Sequence, residues 1–300
     1  MMAQVNCLRH FSQQIMPGGI VMAARIGVIG TGSLGSTLVR GFVNGKAAKA
    51  GEINILNRTQ AKAQKLAEEL PGVNLFRDYR ELVKESEIIF LCVKPGDLKA
   101  VLEKTGYSFD EGKIVVSTLL APPLSDLERI IDGKLARIYP SVTQSTGRGV
   151  TLLTWGQKVQ AGDKSKLIPY LAVLGKYYEL PEKYYRAAGD VTSCGPAFMA
   201  CMVGALAAEA VRRGIPRQAA DEIALETMLG TALLMKEKGL DFEGLARQVA
   251  TPGGCTAEGL KVLQKGLPPL VEEVYEATCR RENEIILGLR KVFSDRLDSK

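Results

Sequence analysis

IGVIGTGSLG, residues 26–35, is the stretch that decides the fold. A short apolar run from Ile26 to Ile29 leads into Gly30-x-Gly32-x-x-Gly35, and Leu38, Val39 and Phe42 then recur at helical spacing. The order is strand, tight glycine turn, helix. Gly30 lets the chain turn sharply, Gly32 lets a pyrophosphate approach the backbone, and Gly35 lets the new helix pack on its strand. The helix then offers its first N–H groups to phosphate oxygens. The stretch reads as a dinucleotide-binding loop over Ile29, Gly30, Thr31, Gly32, Ser33, Leu34 and Gly35, against the alternative of a glycine-rich turn that binds nothing.

The chain around it suits about two domains at 300 residues, and 46% hydrophobic with 24% charged residues is the balance of an ordinary globular protein. No run of ~18 uninterrupted apolar residues is present, so no membrane span is expected. The net charge of +6 comes without a compact basic run or interleaved aromatics, so nucleic acid is not an expected partner and a small anionic substrate is. Six cysteines are scattered, with no CxxC pair, as for reduced thiols in a cytoplasmic protein. The one histidine, His10, falls in an expected leader over residues 1–24, which reads as a poorly ordered extension from an upstream start, with Met22 close to the first strand. Histidine acid–base chemistry and a metal site are therefore not expected.

From residue 25 to about 180, strand-like and helix-like stretches alternate. Residues 52–57 read as a second strand, 60–70 as a helix, 73–76 as a short strand and 79–84 as a short helix. Residues 87–93, EIIFLCV, form a nearly continuous apolar run, the mark of a parallel strand covered on both faces. That strand ends at Lys94-Pro95, which puts Cys92, Val93, Lys94 and Pro95 at a carboxyl end, where such sheets bind ligands. Strands at 113–118, 134–139, 149–155 and 176–180, with helices at 124–131 and 163–174, complete an α/β fold: a Rossmann-like doubly wound parallel sheet. The second strand ends in Asn57-Arg58-Thr59, with no carboxylate to repel a 2′-phosphate and with an arginine and a hydroxyl to hold one. NADPH is therefore favoured over NADH as cofactor. The alternative is a solvated Arg58, with Asn57 or Thr59 only capping the next helix.

Residues 181–300 lose the strand pattern. Phe198, Met202, Leu206 and Ala210, then Ile223, Leu225, Leu229, Leu233 and Leu234, recur at helical spacing, with a break at Gly214-Ile215-Pro216. The small residues of CGPAFMACMVGALAAEA suit close helix packing, so an all-α dimerisation domain is expected. Thr251-Pro252-Gly253-Gly254-Cys255-Thr256 interrupts the pattern and opens a last set of helices. Such a turn can hold a carboxylate on its N–H groups, or serve only as a connector with a Thr cap.

The glycine loop, Cys92-Val93-Lys94-Pro95, Ser193-Cys194-Gly195-Pro196-Ala197-Phe198, Gly230, residues 251–256 and Glu276-Ala277-Thr278-Cys279 together resemble the Δ1-pyrroline-5-carboxylate reductase family, over residues 25 to 284. Tyr139-Pro140-Ser141, Cys194 and Arg281-Glu282 depart from its commoner forms and resemble its late-competence-operon branch. The resemblance implies NADPH-dependent reduction of a small-molecule cyclic imine to L-proline by an intertwined homodimer that in many members assembles further. It implies that Thr251, Gly253, Gly254, Cys255 and Thr256 bind substrate, with the loop amides on its carboxylate and the Thr256 hydroxyl on the ring nitrogen as the catalytic contact. Two alternatives remain open: a reductase of another small imine or oxo acid on the same scaffold, and a non-catalytic NADP-binding homologue linked to competence; a hydroxyacid dehydrogenase using Lys236 or Lys238 is disfavoured by the glycine-threonine loop.

Overall fold

The apolar runs read as strands are strands, and the central ones are buried on both faces. The computed structural model describes residues 24–107, 109–119 and 121–297; the leader expected over 1–24, with His10, lies outside them but for Ala24. The order is β1 (Ile26–Ile29), α1 (Ser33–Asn44), β2 (Ile53–Leu56), α2 (Gln60–Glu69), β3 (Asn74–Leu75), α3 (Tyr79–Lys84) and β4 (Ile88–Leu91). Then come α4 (Leu98–Lys104), β5 (Ile114–Ser117), α5 (Leu124–Ile130) and β6 (Lys134–Tyr139). Every residue of β1, β2, β4 and β5 is buried, as a parallel sheet layered between helices requires. Side chains alternate along β4: Ile88 and Phe90 join Leu38, Phe42 and Tyr170 on one face, and Ile89 and Leu91 join Leu102 and Leu127 on the other.

The strand order is β3-β2-β1-β4-β5-β6-β7-β8, where β7 is Gly149–Trp155 and β8 is Gly175–Glu179. The first six strands are parallel neighbours, and the order reverses at β1, between β2 and β4. That reversal is the switch point where doubly wound sheets open a crevice. The uniform parallel alternation expected from the sequence breaks once, because β7 runs antiparallel to β6. Residues 140–148 hold only a five-residue 3-10 turn, too short a link for a parallel crossover, which needs about a dozen residues. α6 (Ala161–Ala172) supplies that length, and β8 returns parallel to β7.

The remaining helices are α7 (Tyr185–Thr192), α8 (Gly195–Arg212), α9 (Arg217–Lys238), α10 (Phe242–Val249) and α11 (Cys255–Leu297). The described residues fall into two units divided between Ser193 and Cys194, with the chain from Arg281 onward belonging to the first. The division expected at 180/181 is displaced because α7 packs on β7 and Tyr185 donates its hydroxyl to the Arg137 carbonyl at 3.1 Å. The last set of helices is one helix of 43 residues that continues through Pro268 and Pro269. In the second unit α8 packs on α9, yet Met199, Met202, Leu206, Ile223, Leu225 and Leu229 remain exposed. The helical stretch Glu182–Arg212 also has the length and hydropathy to cross a membrane, contrary to the expectation of no such stretch.

One buried cation ties the far side of the sheet together. Arg137 on β6 is 2% exposed; it pairs with Glu182 and donates to the Pro122 carbonyl. The Glu182 carboxylate also accepts from the Leu124 N–H at 3.0 Å, so one ion pair joins β6, the start of α5 and the approach to α7. Burial pulls the Arg137 pKa down, and the charge of Glu182 opposes that shift. Removing one partner of such a pair strands the other charge. Glu182→Gln is therefore expected to lower unfolding free energy by about 3 kcal/mol, read from urea denaturation.

Candidate functional site

The carboxyl ends of β1, β2 and β4 are held level. Ile29 lies opposite both Leu56 and Leu91, so the next residues, Gly30, Asn57 and Cys92, leave the sheet side by side. The Gly30 N–H donates to the Leu56 carbonyl at 2.8 Å, and the Cys92 N–H to the Ile29 carbonyl at 2.8 Å. Gly30 has φ +103°, and a Cβ there would stand 2.3 Å from the Cys92 carbonyl oxygen. A Cβ on Gly35 would stand 1.9 Å from the Gly30 carbonyl oxygen. Both positions require glycine for close approach. Gly32 differs: no atom lies within 4 Å of its Cβ position, so its face is open. Gly32 precedes α1 in extended conformation with no side-chain cap, leaving the first N–H groups of that helix to an outside acceptor.

Asn57 joins two of these strand ends. Its Oδ1 accepts from the Thr31 N–H at 3.0 Å, and its Nδ2 donates to the Thr59 carbonyl at 3.0 Å. Ser36 donates to the Thr31 carbonyl at 3.1 Å. Thr31 is 3% exposed and its hydroxyl oxygen has no protein partner. Arg58, 71% exposed at its side chain, reaches Asp97, which lies between β4 and α4. The pair joins the chain after β2 to the chain after β4, on either side of β1.

These residues line an open cleft of about 160 Å³. Ile29, Gly30, Gly32, Asn57, Arg58, Thr59, Cys92, Val93 and Lys94 contribute to it. Of the other residues singled out from the sequence, Thr31 is bonded to Asn57, Ser33, Leu34 and Gly35 form the first turn of α1, and Pro95 opens the 3-10 turn after Lys94. Cys92 is half-buried, and desolvation pushes its thiol up to about 12 against a hydrogen bond with Thr118, so it packs under the turn as a neutral group. Lys62, Tyr79, Asp97 and Lys104 also line the cleft and were missed in the sequence. Lys62 stands one helical turn after Thr59 and was legible by that spacing. Tyr79 and Lys104, whose ammonium lies 5.2 Å from the Tyr79 ring centre, carried no local signal. Burial raises the Tyr79 pKa.

As the sequence reading has it, no carboxylate follows β2, but the sheet brings one, Asp97, from the end of β4 to Arg58.

Residues 251–256 form one loop, in the other unit. Gly253 has φ +73°, the Gly254 N–H donates to the Thr251 carbonyl at 3.0 Å, and α11 starts at Cys255. The Gly254 carbonyl accepts from the amides of Ala257 and Glu258. Among the described residues the amides of Gly253, Cys255 and Thr256 have no protein acceptor, and the loop faces solvent. No group of three or more metal-ligating side chains occurs among the described residues.

The fold defines a Rossmann-like α/β protein followed by an all-helical unit. Residues 25–121 match the family model described as NADP oxidoreductase, coenzyme F420-dependent, and residues 182–285 match pyrroline-5-carboxylate reductase dimerisation. The chain is 30% identical over 270 residues to ComE operon protein 4 of Bacillus subtilis, covering 90% of this chain and 99% of that one. It is 30% identical over 271 residues to pyrroline-5-carboxylate reductase of Aquifex aeolicus, covering 89% and 99%. A solved pyrroline carboxylate reductase from Plasmodium falciparum with NADP bound superposes with TM-score 0.77 at 23% identity, covering 87% and 98%. The chain belongs to the pyrroline-5-carboxylate reductase family of oxidoreductases.

Strain at the glycine turn is open to measurement. Gly30→Ala forces a side chain into the left-handed region and against the Cys92 carbonyl, so it is expected to cost at least ~2 kcal/mol in a denaturant melt. Gly32→Ala, with open space before it, should melt with the wild type.

Proposed function

We propose that the protein reduces 1-pyrroline-5-carboxylate to L-proline using NADPH, with the cleft at the switch point holding the cofactor and the 251–256 loop holding the substrate. The observation that supports this reading is the occurrence in one chain of two glycine turns, each leading into a helix whose first amides have no protein acceptor. One is the glycine turn before α1; the other is the loop whose Gly253, Cys255 and Thr256 amides lack protein acceptors. The Aquifex relative bears the name of this enzyme, and the Plasmodium structure contains NADP.

The residues present fit the cofactor. Gly32 leaves space where a diphosphate approaches, the buried Thr31 hydroxyl has no protein partner, and Arg58, Thr59 and Lys62 line the cleft beyond Asn57. NADPH supplies the hydride when bound. The backbone N–H groups of residues 32–35 would hold its diphosphate, and Arg58 with Thr59 and Lys62 would hold the 2′-phosphate. The loop amides orient the substrate carboxylate, and the Thr256 hydroxyl bonds the ring nitrogen. A cyclic imine takes up its proton from water readily, so the chain needs no histidine; its contribution is alignment of donor and acceptor.

A homodimer completes this reading. The second unit buries few side chains of its own, and the apolar faces of α8, α9 and α11 need a cover. A second copy supplies it, and accounts for the hydropathy of 182–212 in a cytoplasmic protein without a membrane. Equal identity to ComE operon protein 4 supports a second reading, a homologue that binds NADPH without turning over this imine.

The test is loss of NADPH absorbance with pyrroline-5-carboxylate, run beside NADH. Rapid loss is expected, and Thr256→Ala should lower turnover by about 10- to 1000-fold, the range for one lost transition-state hydrogen bond. NADPH binding without turnover would select the second reading.

A further inference from the structure

We infer that Asp97 sets the cofactor selectivity of the cleft, by holding Arg58 as an internal counter-ion that an incoming 2′-phosphate has to displace. The inference rests on the cleft being the NADPH site. In sheets of this class the acid that selects a 2′-hydroxyl follows the second strand. Here that position is Asn57, and both ends of its amide are engaged, with Thr31 and Thr59. Among the described residues Asp97 is the one acidic side chain lining the cleft, and it pairs with Arg58. The other ionic groups of the wall are cations: Lys62, Lys94 and Lys104.

A phosphate dianion entering this wall is attracted by the lysines. It meets its bidentate partner, Arg58, already neutralised, and meets a like charge beside it. A cofactor carrying a 2′-hydroxyl meets neither obstacle. Asp97 therefore works against the phosphate form specifically. Both side chains are partly exposed, at 71% for Arg58 and 34% for Asp97. An ion pair so placed is weak enough for a phosphate to replace it. Asp97 immediately precedes α4, but its carboxylate caps no N–H of that helix. Its backbone N–H donates to the Lys94 carbonyl at 2.9 Å, a bond that Asp97→Asn retains.

The experiment is titration of the full-length protein with NADPH and, separately, NADH, followed by cofactor fluorescence, for wild type, Asp97→Asn, Asp97→Glu, Arg58→Gln and the double variant Arg58→Gln with Asp97→Asn. Asp97→Asn is expected to tighten NADPH about three- to tenfold while changing NADH by less than about twofold. Asp97→Glu, which keeps a carboxylate for Arg58, should stay near the wild-type ratio. In the Arg58→Gln background the Asp97→Asn gain should shrink, because no cation remains to be released. NADH binding by each variant reports that the cleft is intact. Equal changes for both cofactors, or no gain for NADPH, would overturn the inference while leaving the NADPH reading in place. Failure of the wild type to bind either cofactor would overturn both.

Discussion

A missing side chain at Gly30 governs the arrangement of the whole first unit. The backbone there takes φ +103° with the Cys92 carbonyl 2.3 Å from where a Cβ would be. That approach lets β1 and β4 end level and lets the chain pass over the sheet into α1. The Gly35 position, closed against the Gly30 carbonyl, seats the first turn of α1 on the strand. With both glycines in place, Leu38, Val39 and Phe42 fall onto the buried face of the sheet. Packing and site geometry therefore rest on the same two close contacts. The open space at Gly32 is what remains available for a ligand.

Polar chemistry at this end of the sheet is layered on that backbone. Asn57 binds the first glycine turn to the start of α2 through both ends of one amide, which frees Arg58 to point into the cleft. Arg58 then meets Asp97 from the far side of β1. Away from the cleft, the buried Arg137–Glu182 pair holds α5 and the approach to α7 on β6. An exposed pair such as Arg58–Asp97 exchanges partners readily, whereas a buried pair costs several kcal/mol to break. The two pairs differ in role because they differ in burial.

The sequence made legible whatever depends on neighbours along the chain. The glycine turn, the apolar strands and the break at Gly214-Ile215-Pro216 are local patterns, and the observed elements follow them to within a residue or two. The antiparallel β7 was legible in principle, since residues 140–148 are too few for a crossover helix. Two features were not. Asp97 lies 39 residues from Arg58, and only the strand order brings them to one mouth. The continuation of α11 through Pro268-Pro269 runs against the local rule that proline ends a helix. Of the candidate site, the strand-end residues around the cleft were legible by position, while Tyr79 and Lys104 arrive there through helix packing that no spacing in the chain announces.

Imine reduction, the reaction proposed above, makes little demand on acid–base side chains. Among the described residues there is no histidine, and the one cysteine at the cleft is held neutral by burial. A carbonyl substrate would call for a positioned proton donor. An imine that protonates in water does not, so the demand on the protein falls on geometry. On the reading proposed above, that demand would fall on backbone: the free first turn of α1 for the cofactor, and the Gly253, Cys255 and Thr256 amides for the substrate. Backbone donors do not titrate, so the alignment they impose holds across the pH range in which the imine itself carries its proton.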